Sequence, residues 1–350
     1  DEFAKVDLEW GNIEELNLIT GFEIRKTLEP EYKFSGSKKI EEYIEVLKGD
    51  VGYFKQSSSV PVLVYYPVER TVLDPSLENK DIEKGNQFDA YQNAFEKSVN
   101  FNQFFEWFRS TEDQENEIRL HKNSTYSDKG LDAVRKAILF FLDKFTKIRV
   151  KRGGQTSLVL EKLDKEYEVN QLSHGEKAII AMVGDLARRL VMANPGGKNP
   201  LKGEGIVMID ELDLHLHPTW QKSILYNLRK TFPSIQFICT THSSLVINHL
   251  EKESIYLLED GMCAPLSEKF TDFNSYGADI EDVLKIVQGT EMLIPKEIQT
   301  QFNDLYKYLD DGEIEKAKKV IENLKRMTDP NQPELKKAET QIKYKEMLRK

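Results

Sequence analysis

The sequence predicts an α/β protein: a largely parallel sheet covered by helices, followed by an all-helical region. Three observations predict it. Residues 205–209 (GIVMI) and 235–240 (IQFICT) are apolar runs separated by a helical pattern over 219–230. That strand–helix–strand spacing marks parallel neighbours buried on both faces and joined by a right-handed crossover. Residues 60–66 (VPVLVYY) form a further buried-strand pattern closed by Pro67. After Gly261 strand patterns cease, and 280–288, 295–309, 314–326 and 333–350 read as helices with turns at Asp310-Asp311-Gly312 and Asp329-Pro330.

The remaining elements follow in chain order. The first 75 residues mix short strands with one helix. Ser37 caps it, Ile40, Tyr43, Ile44 and Leu47 supply its apolar face, and Gly49 ends it. From Asp74 to about Gly130 the chain turns polar and turn-rich. An aromatic helical piece there (Phe101, Phe104, Phe105, Phe108) reads as an insertion packed by its own stripe, a core feature rather than a base-stacking platform. Leu131, Val134, Ile138, Phe141, Leu142 and Phe145 mark an amphipathic helix over 131–145. Residues 147–150 and 157–160 read as a hairpin around Gly153-Gly154. A long helix over 176–193 ends at Asn194-Pro195-Gly196-Gly197, and 255–258 is a third strand candidate beside the two already named.

Composition narrows the classes. The 350 residues carry 49 Lys+Arg against 59 Asp+Glu, a net charge of −10, with 39% hydrophobic and 31% charged residues. These proportions exclude a disordered chain. The acidic balance argues against autonomous tight nucleic-acid binding, while a local basic face stays open. The basic cluster Lys144, Lys147, Arg149, Lys151 and Arg152 reads as a solvated hairpin. No run approaches the ~20 apolar residues that span a bilayer, and Asp1-Glu2-Phe3-Ala4-Lys5 lacks a signal-peptide pattern. Cys239 and Cys263 are too few for a disulfide framework or a thiolate zinc site, so a reducing cytoplasmic setting is expected.

The chemistry gathers at three places. The strand 205–209 ends in Asp210-Glu211, where ligands of open α/β sheets bind. A carboxylate there can hold hydrated Mg²⁺, and its neighbour can orient or deprotonate a water. The next strand ends in Thr240-Thr241-His242, on the same sheet edge if the two strands are parallel neighbours. Upstream, Leu172-Ser173-His174-Gly175-Glu176 opens the long helix. Taken alone it is an N-cap with Ser173 and Glu176 as a capping box; the same helix start also offers free N–H groups to an anion. His215 and His217, two apart in a turn with Asp213 nearby, do not define a metal site.

Together and in this order, the three segments resemble the ABC-type ATPases, in the branch of RecF-like, SMC-like and overcoming-lysogenization-defect proteins. Leu172–Glu176 is similar to the signature motif, with His174 in place of the usual Gly and Glu176 in place of Gln. Gly205–Glu211 resembles Walker B with the catalytic glutamate, Leu212–Pro218 resembles the D-loop, and His242 the switch histidine. The phrase DELDLHLHP over 210–218, with Trp220-Gln221 and Thr240-Thr241-His242-Ser243, resembles prokaryotic predicted ATP-binding proteins that include the Septu anti-phage ATPase. Tyr65-Tyr66 to Arg70 falls in the Q-loop region. The resemblance implies an ABC-type P-loop NTPase sheet, with ATP and Mg²⁺ as cofactors. Asp210 would serve the metal, and Glu211 and His242 catalysis. Leu172, Ser173, His174, Gly175, Glu176, Asp213 and Arg70 would contact nucleotide.

The resemblance also divides the chain: 1–75 as the rest of an N-terminal ATPase lobe, 76–130 as a helical insertion, 131–262 as the signature, Walker B and switch part, and 263–350 as a helical region. No G-x-x-x-x-G-K-[ST] occurs, and the P-loop is expected before Asp1. A homodimer or higher homo-oligomer pairing head to tail is implied, controlling an effector nuclease in anti-phage defence, with no membrane partner and no evident nucleic-acid site. The alternatives are a catalytically silent scaffold that binds an effector, and a DNA-repair ATPase of the RecF or SMC type. In the tail, the stripe Ile314, Ala317, Ile321 and Leu324 is a candidate for association or for ordinary packing.

Overall fold

The computed structural model describes residues 59–68, 87–95, 101–153, 156–259, 261–290 and 294–348, together with three strands nearer the N-terminus. Those strands, β1 (Phe3–Glu9), β2 (Ile19–Lys26) and β3 (Tyr32–Ser35), form an antiparallel sheet in sequence order. The helix expected over 37–49 lies outside the described residues, as does Arg70.

A second sheet has three strands, each adjacent pair parallel. β4 is Val62–Tyr66, β8 is Gly205–Ile209 and β9 is Ile235–Cys239. Val62 faces Gly205 and Tyr66 faces Ile209 in one pair; Gly205 faces Ile235 and Ile209 faces Cys239 in the other. The three strands therefore finish level, and the residues that follow them meet at one edge. The expected strand over 255–258 does not join this sheet. Its residues lie in β10 (Tyr256–Glu259), which pairs antiparallel with β11 (Met262–Pro265) across Gly261, whose φ of +76° makes the turn.

Helices pack around the sheet. α1 (Phe101–His121) buries Phe101, Phe104, Phe105 and Phe108. These rings belong to the main core and do more than pack on one another: Phe104 lies so close to the helix over 174–193 that a Cβ on Gly184 would sit 2.8 Å from its ring. α1 also buries Glu112 and Glu115, which Arg135 bridges at 2.7 and 2.9 Å. α2 (Lys129–Phe141) starts where Asp128 accepts the Leu131 N–H at 2.8 Å. It ends before the predicted residue 145, although Leu142 and Phe145 remain buried. β5 (Lys147–Lys151), β6 (Ser157–Lys162) and β7 (Lys165–Glu168) make the expected hairpin and extend it by a strand. Lys147 pairs with Glu161 at 3.3 Å, Arg149 with Glu166, Lys151 with Glu168 at 3.5 Å, and Arg152 with Glu112 at 2.8 Å. Four of the five basic residues in that cluster thus face acids, as in a solvated hairpin.

α3 (His174–Ala193) is apolar nearly all round and runs through the core, as its run of buried residues from Ile179 to Leu190 shows. α4 (Pro218–Thr231) crosses from β8 to β9, with Pro218 in its first turn. The compact unit that holds all these elements ends at Gly277, and Ala278–Lys350 form a second unit. The second unit is α-helical with one π turn at Val283–Val287: α5 (Lys296–Asp310), α6 (Ile314–Met327) and α7 (Pro333–Leu348). Its core joins Phe302, Leu305 and Leu309 to Ile314, Ala317, Ile321, Leu324, Leu335 and Ile342. The α6 stripe is consumed inside this bundle. Among the described residues no helix is long and apolar enough to cross a membrane.

Candidate functional site

β8 leaves the sheet through a sharply bonded corner. The Asp210 N–H donates to the Tyr66 carbonyl at 2.9 Å, and the Thr240 N–H donates to the Ile209 carbonyl at 3.0 Å. Glu211 then takes a left-handed backbone, φ +45°, which few residues with a Cβ adopt. Its N–H donates to Thr240 Oγ1 at 2.7 Å, and the Leu212 N–H returns to the Thr240 carbonyl at 2.9 Å. Two further turn bonds, Leu214 N–H to the Glu211 carbonyl (2.9 Å) and Leu216 N–H to the Asp213 carbonyl (3.0 Å), close the loop to α4. Leu212 and Leu216 are buried and pin it to the core.

The two threonines after β9 reach back to this corner. Thr240 Oγ1 donates to Asp210 Oδ1 at 2.5 Å. The Thr241 hydroxyl donates to Asp213 Oδ1, and the His242 N–H reaches the same oxygen at 3.3 Å. Ser243 Oγ donates to Gln221 Oε1 at 2.7 Å, while Gln221 Nε2 donates to the Leu216 carbonyl at 3.0 Å. Asp210, Glu211, Asp213 and the backbone of His242 are therefore gathered at the carboxyl edge of the sheet.

The start of α3 packs on the same loop. Ser173 is its N-cap: Glu176 Oε2 accepts the Ser173 N–H and hydroxyl, both at 2.8 Å, and the Glu176 N–H donates to Ser173 Oγ at 3.3 Å. A Cβ on Gly175 would lie 2.6 Å from the His215 carbonyl oxygen and 3.2 Å from the Trp220 ring, so only glycine permits this approach. The His174 and His215 rings lie 5.8 Å apart. Ser173 and His174 are exposed, whereas Leu172 and Gly175 are buried. Leu172 anchors the segment in the core.

Beneath the edge lies a charged core that the sequence reading passed over. Asp185 of α3 accepts from Tyr66 OH (3.0 Å), Arg189 Nε (2.6 Å) and Arg188 Nη2 (2.8 Å), all buried. Arg189 also donates to the carbonyls of Ala90 (2.6 Å) and Gln92 (3.0 Å). Burial alone would push the Asp185 carboxyl up; Arg189 and then Arg188 outweigh it and hold the group below the usual carboxylate range. Burial, then the Asp185 charge, pushes the Tyr66 phenol well above its ordinary value, so it stays a donor. The network ties the end of β4, whose carbonyl holds the Asp210 N–H, to the helix that presents Ser173.

The residues fit hydrated Mg²⁺ better than a protein cage. Among the described residues no three His, Cys, Asp or Glu converge on one point. Asp210 Oδ2 accepts no hydrogen bond among them, and Asp210 is half-buried at the strand end. One carboxylate plus waters and phosphate oxygens is the coordination Mg²⁺ prefers.

A family profile described as "AAA domain, putative AbiEii toxin, Type IV TA system" matches residues 20–248. The chain belongs to this family. Among curated relatives, it is 31% identical over 311 residues to "Retron Vc95 probable ATPase" of Vibrio cholerae serotype O1 biovar El Tor, covering 73% of this chain and 59% of that protein. It is 27% identical over 207 residues to "Septu protein PtuA" of Bacillus thuringiensis, covering 57% and 52%. The chain thus spans about half the length of the curated relatives it matches. A solved "SMC head domain from Thermotoga maritima" shares 15% identity over 75% of this chain and 73% of that one, with a TM-score of 0.33. The family match covers the parallel sheet, the start of α3 and the loops that carry Asp210, Glu211, Asp213 and His242.

Proposed function

We propose that this AAA-domain chain hydrolyses ATP at the edge built by Asp210, Glu211 and His242, as one half of a head-to-tail pair. The supporting observation is the corner itself: Asp210 and Glu211 leave β8 together and are bonded through Thr240 to the segment carrying His242. Asp210 would hold the hydrated metal. The Glu211 carboxylate orients the attacking water and takes its proton as the new P–O bond forms and the bond to ADP breaks. His242 donates toward the transferred phosphoryl group. Bound Mg²⁺ neutralises charge on the phosphate oxygens; the protein's share is positioning and electrostatics. The start of α3, residues 172–176, and Asp213 of the loop on which it packs face the nucleotide of the partner subunit. The output is control of an effector, a nuclease in anti-phage defence, a reading supported by likeness to the retron and Septu proteins.

The test is Glu211→Gln in the full-length protein, which keeps size and hydrogen bonding and removes the base. Turnover should fall about 10²–10⁴-fold, with ATP binding retained and light scattering showing an ATP-trapped dimer. Asp210→Asn should instead weaken Mg²⁺-dependent binding. Parental turnover by Glu211→Gln would sink the proposal.

A further inference from the structure

We propose that Thr240 is a positioning residue for both acids of the site, an inference that rests on the functional reading above. Four hydrogen bonds converge on this one residue. Its backbone N–H and carbonyl hold Ile209 and Leu212, and its hydroxyl holds Asp210 Oδ1 (2.5 Å) and the Glu211 N–H (2.7 Å). A threonine hydroxyl has one proton and two acceptor sites. The Glu211 N–H can only donate, so the single proton is committed to Asp210. The hydroxyl therefore does two things at once. It fixes the rotation of the Asp210 carboxylate so that Oδ2 remains for the metal's water. It also satisfies the amide of a residue held at φ +45°, keeping Glu211 in a backbone state that it would otherwise leave.

The residue type suits the task. A β-branched side chain is stiff at χ1, so the hydroxyl does not wander. Valine has the same shape without the hydroxyl, and serine has the hydroxyl without the branch. Thr240 is exposed, so Thr240→Val removes hydrogen bonds with little loss of packing. The next residue, Thr241, makes the matching bond to Asp213. Both threonines immediately precede His242, so a shift of the His242 segment moves the acids with it.

The experiment compares Thr240→Val, Thr240→Ser and Asp210→Asn in the full-length protein. The first readout needs no nucleotide: hydrogen exchange of the Glu211 and Leu212 amides. Thr240→Val should speed exchange at Glu211 about 10-fold or more, and Thr240→Ser should restore protection. The second readout is the Mg²⁺ concentration at half-saturation for binding a non-hydrolysable ATP analogue, by calorimetry. It should rise about 10-fold in Thr240→Val, the low end for losing a hydrogen bond to a charged group, and return within about threefold in Thr240→Ser. If Thr240→Val does not fold, Thr240→Ala carries the same comparison. Parental exchange and parental Mg²⁺ dependence in Thr240→Val would overturn the inference, as would failure of a folded Thr240→Ser to restore either. If Asp210→Asn binds the analogue and Mg²⁺ like the parent, the reading of the site fails instead, and the exchange arm alone decides for or against Thr240.

Discussion

Asp185→Asn tests how far the charged core beneath the site supports the fold. Asparagine keeps the volume and one carbonyl acceptor but removes the negative charge. The Arg188 and Arg189 side chains are only 5% and 4% exposed, so the substitution leaves two buried guanidinium groups without a counter-charge. Removing one partner of a buried ion pair costs about 3–5 kcal/mol. The lower end applies here, because asparagine still accepts one hydrogen bond and Arg189 keeps the Ala90 and Gln92 carbonyls. In a unit of this size each kcal/mol lowers Tm by roughly 2–4 °C. About 3 kcal/mol therefore becomes a fall of roughly 6–12 °C in a circular-dichroism melt. The pH dependence gives an independent check. The folded pKa of Asp185 is depressed, so its stabilisation is fully present above the unfolded value of about 3.9 and is lost as pH falls through the folded value. The parent should lose more stability below about pH 4 than Asp185→Asn does. A melt within about 2 °C of the parent, with matching acid profiles, would refute the claim that this carboxylate compensates both arginines.

Three further outcomes follow from the geometry. Gly175→Ala forces a Cβ to within 2.6 Å of a backbone carbonyl, which cannot swing aside; it should cost about 1–3 kcal/mol in the melt and, by separating α3 from the 211–216 loop, reduce ATP turnover. Glu176→Gln weakens the hold on the Ser173 hydroxyl and removes a stabilising charge at the start of α3, costing about 0.3–1 kcal/mol, yet it should lower the KM for ATP; an unchanged or higher KM would show that Glu176 does not compete for that hydroxyl. Phe302→Ala empties the centre of the helical unit and should cost about 3–5 kcal/mol, read as loss of exchange protection in 296–348 with the amides of β8 unaffected.

The sheet and its acids were legible because they rest on local signals. Two acids after an apolar run of five residues also suit a helix cap; it is the strand–helix–strand spacing that makes the run a strand and brings β8 and β9 to end together. The run over 255–258 carries no such constraint: an apolar stretch of four fits a central strand or a hairpin arm equally, and Gly261 decided for the hairpin. Thr240 is visible in the sequence as part of the Thr240-Thr241-His242-Ser243 phrase, but its bonding role is not, because its partners lie about thirty positions away. Asp185, Arg188 and Arg189 did leave a trace. Charges at i, i+3 and i+4 inside a segment otherwise as apolar as AMVG-LA-LVMA cannot face water on a helix buried all round. The aromatic stripe of α1 could be recognised as core, but not whose core, since periodicity names a buried face without naming what buries it.

Ser173 raises a question of competition. In this chain Ser173 is fully engaged: its N–H and hydroxyl go to Glu176, and its oxygen accepts the Glu176 N–H. The loop satisfies two amides of the helix start and places a carboxylate where the helix dipole favours one. It does not use the amides of His174 and Gly175, the first-turn donors that a helix leaves unpaired. In the proposed reaction a phosphate arriving from the partner subunit would meet those two amides first. It would gain Ser173 only by drawing the hydroxyl from Glu176, exchanging one charge-assisted bond for another with little net gain. On the proposed reading, a carboxylate at this position would set a threshold on how tightly two subunits close over ATP. That is why the substitution at Glu176, which lowers the threshold, tests the cross-subunit contact more directly than removal of the serine, which would break the helix cap as well.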